Sequence, residues 1–159
     1  MSWRSSHSAL AVVALLACSS AAAAQARGPR ETQLHAIGIA SQPLFGAVGG
    51  GFAWRDVRRT RVAASLMAGV LEGGRLAARA DVAWHFLLDP RKRAGSAVYG
   101  GGGLSLQAAG DGARPYLLLV LGAERNPGGG DGSFVEIGVG GGLRASVGYR
   151  WRKGNAPGG

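Results

Sequence analysis

Few residues of this 159-residue chain have the types and spacing that a chemical site requires. His35 and His85 stand apart from each other and from any His-x-His or cysteine-rich grouping, which makes a weak case for a metal site. Asp81 lies four residues before His85 on one face of a predicted strand. That pair could belong to a serine, histidine and acid arrangement, but no serine occupies a recognisable nucleophile motif. We therefore expect no catalytic residue, no metal site and no cofactor.

Glycine runs are the second feature that could indicate a chemical site. They occur at residues 49–51, 100–103, 128–130 and 140–142 of a chain with 29 glycines. A phosphate-binding loop would continue into Gly-Lys-Ser or Gly-Lys-Thr between a strand and a helix, and none of these runs does so. We interpret the glycines as positions where a tightly curved sheet bends, turns or relieves crowding.

The first 26 residues have the three parts of a secretory signal. Arg4 supplies the cation, residues 9–17 form an apolar run, and Ala24-Gln25-Ala26 resembles a cleavage site. The alternative is a lipoprotein box at residues 15–18, with Cys18, the only cysteine, as the acylated residue. The net charge of +9 would suggest nucleic acid in a cytoplasmic protein. Export argues against such a partner and favours contact of the cations with water or lipid headgroups.

The rest of the chain lacks helical periodicity and consists of short segments that alternate at period two. Eight such segments are predicted as strands, each close to the ~9–11 residues of a membrane strand. They span residues 33–41, 44–54, 61–71, 75–88, 96–107, 115–124, 133–139 and 143–152. Alternation alone leaves open which face is the core, because soluble and membrane barrels bury opposite faces. The facing of the first and sixth segments is also left open.

The aromatic residues favour the membrane alternative. If the strands run up and down from the end that carries the termini, five aromatic residues lie on the apolar face near that end. They are Trp54, Trp84, Phe86, Tyr149 and Trp151. Such rings prefer the headgroup boundary, so they are predicted to form an aromatic girdle. Basic turns at residues 55–59 and 89–93 fall at the same end, which suits an anionic phospholipid surface.

The opposite face of the strands has polar residues that a narrow barrel would enclose. The predicted interior cluster consists of Ser65, Arg79, Asp81, His85, Glu136 and Arg144. An unpaired buried charge is costly, so we expect these side chains to form a salt-bridge core. A barrel of eight strands is filled by side chains, and the cluster is therefore read as structural, not as a transport path.

The last predicted strand carries a motif with a known counterpart. Its sequence RASVGYRW, residues 144–151, resembles the C-terminal signal of bacterial outer-membrane barrels. Arg144, Tyr149 and Trp151 occupy the polar, hydrophobic and final aromatic positions, while Ser146 stands where glycine is usual. The chain as a whole resembles the small eight-stranded class, the outer-membrane protein A-type transmembrane barrel. This resemblance implies that the C-terminal strand contacts the barrel-assembly machinery.

Together these patterns predict an all-β, up-and-down antiparallel β-barrel of about eight strands behind a cleavable signal peptide. The expected boundaries are a signal peptide at residues 1–26, the barrel at 27–152 and a flexible tail at 153–159. The expected function is that of an integral bacterial outer-membrane barrel with a structural or surface role, membrane lipids as partners and no catalysis. One alternative is a soluble periplasmic or secreted barrel that binds a small apolar ligand. The other is a lipid-modifying outer-membrane enzyme.

The signal segment generates a prediction about processing. We expect cleavage after Ala26, because the small residues at 24 and 26 suit a signal peptidase. Mass spectrometry of the mature N-terminus measures this directly. A chain that begins at a diacylated Cys18 would contradict it.

Overall fold

The eight strands of this chain close into a barrel. The computed structural model describes residues 30–55, 59–92 and 94–153. Within them the strands are β1 (Arg30–Ala40), β2 (Phe45–Arg55), β3 (Thr60–Leu71), β4 (Arg75–Leu87), β5 (Ser96–Ala109), β6 (Gly112–Arg125), β7 (Asp131–Val139) and β8 (Leu143–Lys153). Each strand pairs antiparallel with the next, and β8 pairs with β1. The predicted signal peptide and residues 154–159 of the predicted tail lie outside the described residues.

Closure depends on the pairing of the first and last strands. Their register runs from Arg30 opposite Lys153 to Ala40 opposite Leu143, so it uses the full length of β1. A barrel closed in this way leaves no strand edge with unpaired backbone groups. The predicted up-and-down antiparallel β-barrel is therefore confirmed.

Several strands are longer than their apolar patterns indicate. β1 begins at Arg30, three residues before the predicted segment, and β8 includes Lys153, one residue beyond the predicted barrel boundary. The β5–β6 ladder continues to Ala109 opposite Gly112. The physical reason is that backbone pairing with a neighbouring strand continues through charged and small residues, whereas a hydropathy pattern fades there.

The two ends of the barrel differ in their connections. At the terminal end, which carries Arg30 and Lys153, the connections span residues 56–59, 88–95 and 126–130. At the loop end they are tight and span residues 41–44, 72–74, 110–111 and 140–142. Gly73 and Gly74 have φ of 85° and 80°, a left-handed conformation that glycine adopts without strain. The three-residue β3–β4 turn can therefore stay short and keep both strands in register.

Side chains alternate between an apolar outer face and a lumen that contains both polar and apolar residues. Leu66 and Val147 on the outer face are 66% and 57% exposed, whereas Arg61 in the lumen is 0% exposed. The strands whose facing was open are now assigned: Glu31, Gln33 and His35 of β1 point inward, as do Leu118 and Val120 of β6. Within the described part of the chain there is no helix long and apolar enough to cross a bilayer.

Apolar side chains fill the lumen near the loop end. This cluster consists of Ile37, Ile39, Phe45, Ala47, Met67, Leu71 and Ala77. All of its members come from β1 to β4, close to the tight turns. Hydrocarbon therefore fills the β1–β4 side of the lumen at the loop end, whereas on the other side Arg79 reaches the backbone oxygen of Gly140 in the β7–β8 turn.

The packing around Gly122 generates a prediction about stability. A Cβ at Gly122 would come within 2.5 Å of the Tyr99 ring, which lies opposite it in the β5–β6 ladder. Gly122→Ala should therefore destabilise the barrel by about 1–3 kcal/mol through overpacking. The control is Gly46→Ala, because the outward position of Gly46 has no heavy atom within 4 Å of such a Cβ. Denaturant midpoints at unchanged slope measure both changes, and equal midpoints would contradict the prediction.

Candidate functional site

Asp81 is the acceptor that joins three strands in the middle of the lumen. Arg79 Nε donates to its carboxylate at 2.9 Å, and Arg144 Nη1 donates across the barrel at 2.8 Å. Ser65 occupies the register position opposite Asp81 on β3. The hydroxyl that donates to Asp81 belongs instead to Ser105 of β5, at 2.5 Å. Asp81 therefore has charged and neutral donors around it although it is buried.

Glu136 is the second carboxylate of the middle layer. Tyr99 donates its hydroxyl hydrogen to Glu136 at 2.8 Å, and Ser146 donates to the other oxygen at 3.2 Å. Arg144 and Arg150 lie 3.6 Å from its two oxygens. Arg79, Asp81, His85, Glu136 and Arg144 are thus all buried in the lumen, and Ser65 is partly buried.

A denser ionic cluster lies nearer the terminal end. Four arginines surround the single carboxylate of Glu124: Arg150 at 2.6 Å, Arg55 at 2.8 Å, Arg152 at 3.0 Å and Arg61 at 3.1 Å. Glu31 of β1 accepts from Arg152 at 2.8 Å and from Arg55 at 3.1 Å. We call these six residues the terminal ion cluster.

The interior cluster predicted from the sequence includes none of the six residues of the terminal ion cluster. The signal that could have found Glu31 is its spacing from Gln33 and His35, because three polar residues at period two define one face of β1. In β6 that signal is absent, since leucine and valine occupy both faces before Glu124 is reached.

Tyr99 connects the terminal ion cluster to the middle layer. Its ring lies between the guanidinium groups of Arg61 and Arg150, at 4.5 Å and 5.4 Å from the ring centroid. Its hydroxyl accepts from Arg150 Nη2 at 2.9 Å while it donates to Glu136. A ring face attracts a cation, so Tyr99 further stabilises two arginines that share the carboxylate of Glu124 with two others.

The two histidines have different surroundings. Arg61 donates to His85 Nδ1, with Nε at 3.2 Å. Arginine can only donate, so Nδ1 accepts, and the neutral ring then carries its hydrogen on Nε2, 3.9 Å from Glu136. His85 therefore contacts Arg61 and Glu136, whereas Asp81 is held by Arg79, Arg144 and Ser105 and does not form the dyad that a triad would require.

His35 borders a small polar cavity in the middle layer. Both of its ring nitrogens, and Nε of Arg144, are buried without a hydrogen-bond partner among the described residues. Asp81 and Glu136 line the same cavity, whose volume is about 20 Å³. This space has room for one water molecule. Among the described residues no three histidine, cysteine or acidic side chains are grouped as a metal site would require.

The predicted girdle residues lie on the outer face toward the terminal end. Trp84, Phe86, Tyr149 and Trp151 are exposed there, and Trp54 is partly exposed. The rings of Tyr149 and Trp151 meet edge to face, with centroids 5.1 Å apart. The Tyr149 hydroxyl donates to Asp131 of β7. These rings therefore present apolar surface outward, and the Tyr149 hydroxyl also has a polar partner.

A closed barrel with an apolar outer face and a lumen filled by side chains also occurs among known structures. The chain has the fold of a bacterial β-barrel domain. One matching structure is the N-terminal β-barrel domain of Pseudomonas aeruginosa OprF, with a TM-score of 0.58 and 12% sequence identity. The match covers 77% of this chain and 96% of the OprF domain. No family model and no curated protein matches the sequence.

The terminal ion cluster generates the next prediction. Glu124→Gln removes the negative charge that four arginines share, and it leaves Glu31 as the nearest carboxylate. Breaking a buried ion pair from one side costs about 3–5 kcal/mol, so the free energy of unfolding should fall by that amount. Equilibrium unfolding in denaturant gives the value. Glu72→Gln in the exposed β3–β4 turn is the control and should stay within about 0.5 kcal/mol. A loss at Glu124 as small as the loss at Glu72 would contradict this account.

Proposed function

We propose that the chain is an integral β-barrel of a bacterial outer membrane, with a structural or surface role and without catalysis. The observation that carries the proposal is the inside-out distribution of side chains. Leucine, valine and isoleucine, interspersed with alanine and glycine, cover the outer face across the middle of the strands, whereas arginine and glutamate occupy the lumen. Monomeric soluble proteins rarely expose contiguous apolar surface beyond a few hundred Å². A membrane barrel requires such a surface.

The lumen supports a structural role. Its charged groups are held by ion pairs and hydrogen bonds from strands on opposite sides, and apolar side chains of β1 to β4 fill one side of the loop end. A narrow barrel filled in this way resists deformation and has no wide channel. A soluble barrel that holds an apolar ligand would need the opposite arrangement, with its apolar face around the lumen.

The termini and the last strand support export and assembly. The signal-like segment at residues 1–26 would direct the chain across the inner membrane. β8, which carries the RASVGYRW motif, pairs with β1 along its whole length. We propose that β8 contacts the barrel-assembly machinery before this pairing closes the sheet, and that membrane lipids then surround the outer face.

Arginine substitutions at two depths test the proposal. Leu66 lies midway along β3 and Leu76 lies near the loop-end rim of β4, and both are exposed, at 66% and 79%. In a membrane, Leu66→Arg should cost about 2–4 kcal/mol and Leu76→Arg about 0–1 kcal/mol, because the cost follows depth. In a soluble barrel both exposed positions would tolerate arginine equally.

The measurement is the denaturant midpoint of each variant folded in phospholipid vesicles. Cell fractionation supplies the independent test, with the wild-type chain expected in outer-membrane fractions and resistant to carbonate extraction. Equal effects of the two substitutions, together with recovery in the soluble fraction, would contradict the proposed function.

A further inference from the structure

An open apolar groove of about 690 Å³ crosses the outer wall of the barrel. It follows two neighbouring hydrogen-bonded rows of the sheet. One row runs from Trp151 through Thr32, Phe52 and Ala64 to Val82. The other runs from Leu34 to Leu106 by way of Gly50, Leu66 and Ala80. We call this feature the oblique groove.

Small residues create the depression between larger neighbours. Gly50, Ala64 and Ala80 lie between bulky side chains such as Phe52 and Leu66. The inward-facing Gly49 is required by packing, because a Cβ there would meet Met67. At the outward-facing Gly50 a Cβ would meet only the backbone oxygen of Gln33, at 3.2 Å. No neighbouring side chain therefore requires a glycine at position 50. The glycine there leaves the groove open.

The oblique groove climbs from the terminal end toward the loop end. Trp151 lies two residues from the terminal end of β8, whereas Leu106 lies three residues from the loop end of β5. The climb follows from strand tilt, since rows perpendicular to tilted strands are inclined to the membrane plane. A groove with this course begins at the membrane boundary and enters the apolar belt.

One cation, Arg30, and one carboxylate, Asp131, flank the lower mouth of the groove, because Asp131 lies opposite Trp151 in the β7–β8 ladder. Arg30 is exposed and occupies the next outward position to Thr32 on β1. Around the terminal end the described exposed charges are five cations and two carboxylates: Arg30, Arg59, Arg91, Lys92, Arg125, Asp89 and Asp131. At the loop end two cations face two carboxylates: Arg75, Arg114, Glu72 and Asp111. The excess of positive charge therefore lies at the end where the groove opens.

We propose that the oblique groove binds an anionic phospholipid from the leaflet at the terminal end. Its phosphate lies against Arg30, and one acyl chain runs upward past Ala64 and Ala80. The proposal rests on the membrane insertion proposed above and adds the identity of the bound lipid. Lipid tails are as apolar as leucine, so the groove shapes the contact while headgroup charge supplies the selectivity.

Charge also disfavours a second copy of the chain as the occupant. Copies inserted in one membrane share an orientation, so a symmetric pair would bring the two terminal ends together at the same depth. The basic surface of one copy would then face the basic surface of the other, and like charges across an interface are unfavourable. An anionic lipid neutralises the same surface.

Quenching of a single tryptophan by brominated lipids tests the proposal. The full chain carrying Trp3→Phe, Trp54→Phe and Trp84→Phe keeps Trp151 at the mouth of the groove. It is folded into phosphatidylcholine vesicles that contain a minority of phosphatidylglycerol, with bromine on the acyl chains of one lipid or the other. We expect phosphatidylglycerol to be enriched about fivefold at Trp151 over its share of the membrane, the factor that one interfacial arginine confers.

Matched variants separate headgroup charge from groove shape. Arg30→Gln should remove the enrichment, whereas Arg75→Gln at the loop end should leave it. Ala64→Leu, which fills the groove, should reduce the enrichment. Ala68→Leu should not, because Ala68 faces outward on the same strand but does not line the groove.

Three results would overturn the proposal. Equal quenching by the two lipids would show an unselective groove, and enrichment that survives Arg30→Gln would place the selectivity elsewhere; both leave membrane insertion intact. Quenching by both lipids that appears only when the protein is diluted in excess lipid would show that a second copy covers the groove. Absence of quenching by either lipid at every dilution would instead contradict the proposed membrane insertion itself.

Discussion

Across the middle of its strands this barrel carries charges only in the lumen, and the remaining features depend on that constraint. Across the middle of the strands the outer face is apolar, so arginine and glutamate side chains must be accommodated within a barrel of eight strands. A charge buried there is tolerated only with partners. The partners come from strands on opposite sides, as in the contacts of Arg144 with Asp81 and of Arg150 with Glu124. Ion pairing and barrel closure therefore stabilise each other.

The choice of arginine over lysine follows from an imbalance of charge. Among the described lumen residues, six arginines (Arg55, Arg61, Arg79, Arg144, Arg150 and Arg152) face four carboxylates (Glu31, Asp81, Glu124 and Glu136). The excess positive charge is stabilised by aromatic rings and backbone oxygens, which bind a guanidinium group better than an ammonium group. Arg150 lies 3.8 Å from the centroid of the Phe134 ring, and Arg79 donates to the backbone oxygen of Gly140 at 2.9 Å. Stacking on aromatic rings and hydrogen bonds to backbone oxygens thus stabilise these arginines where carboxylates are too few.

The sequence predicts the architecture well because alternation and glycine turns are local signals. The β3 and β4 strands closely follow the predicted segments 61–71 and 75–88, and their ladder places Ser65 opposite Asp81, two residues of the predicted interior cluster. Alternation reports only a contrast between faces, so it fails in β6, where Leu118 and Val120 fill the lumen beside Ala83. Glu124 was missed for that reason. Its four arginine partners come from three other strands. The spacing of residues within one strand does not indicate which residues of other strands pair with them across the lumen.

The central claim is that the apolar face contacts lipid. Nitroxide labels at Val82 and Val147, both facing outward in the middle of their strands, test it most directly, with Arg75 at the loop-end rim as the reference. In the folded chain in vesicles, the account predicts that the first two labels collide with oxygen dissolved in the bilayer far more often than with a water-soluble nickel complex, and that the label at Arg75 shows the reverse. Labels at Val82 and Val147 that meet the nickel complex as readily as the label at Arg75, in a barrel that remains folded, would contradict the account.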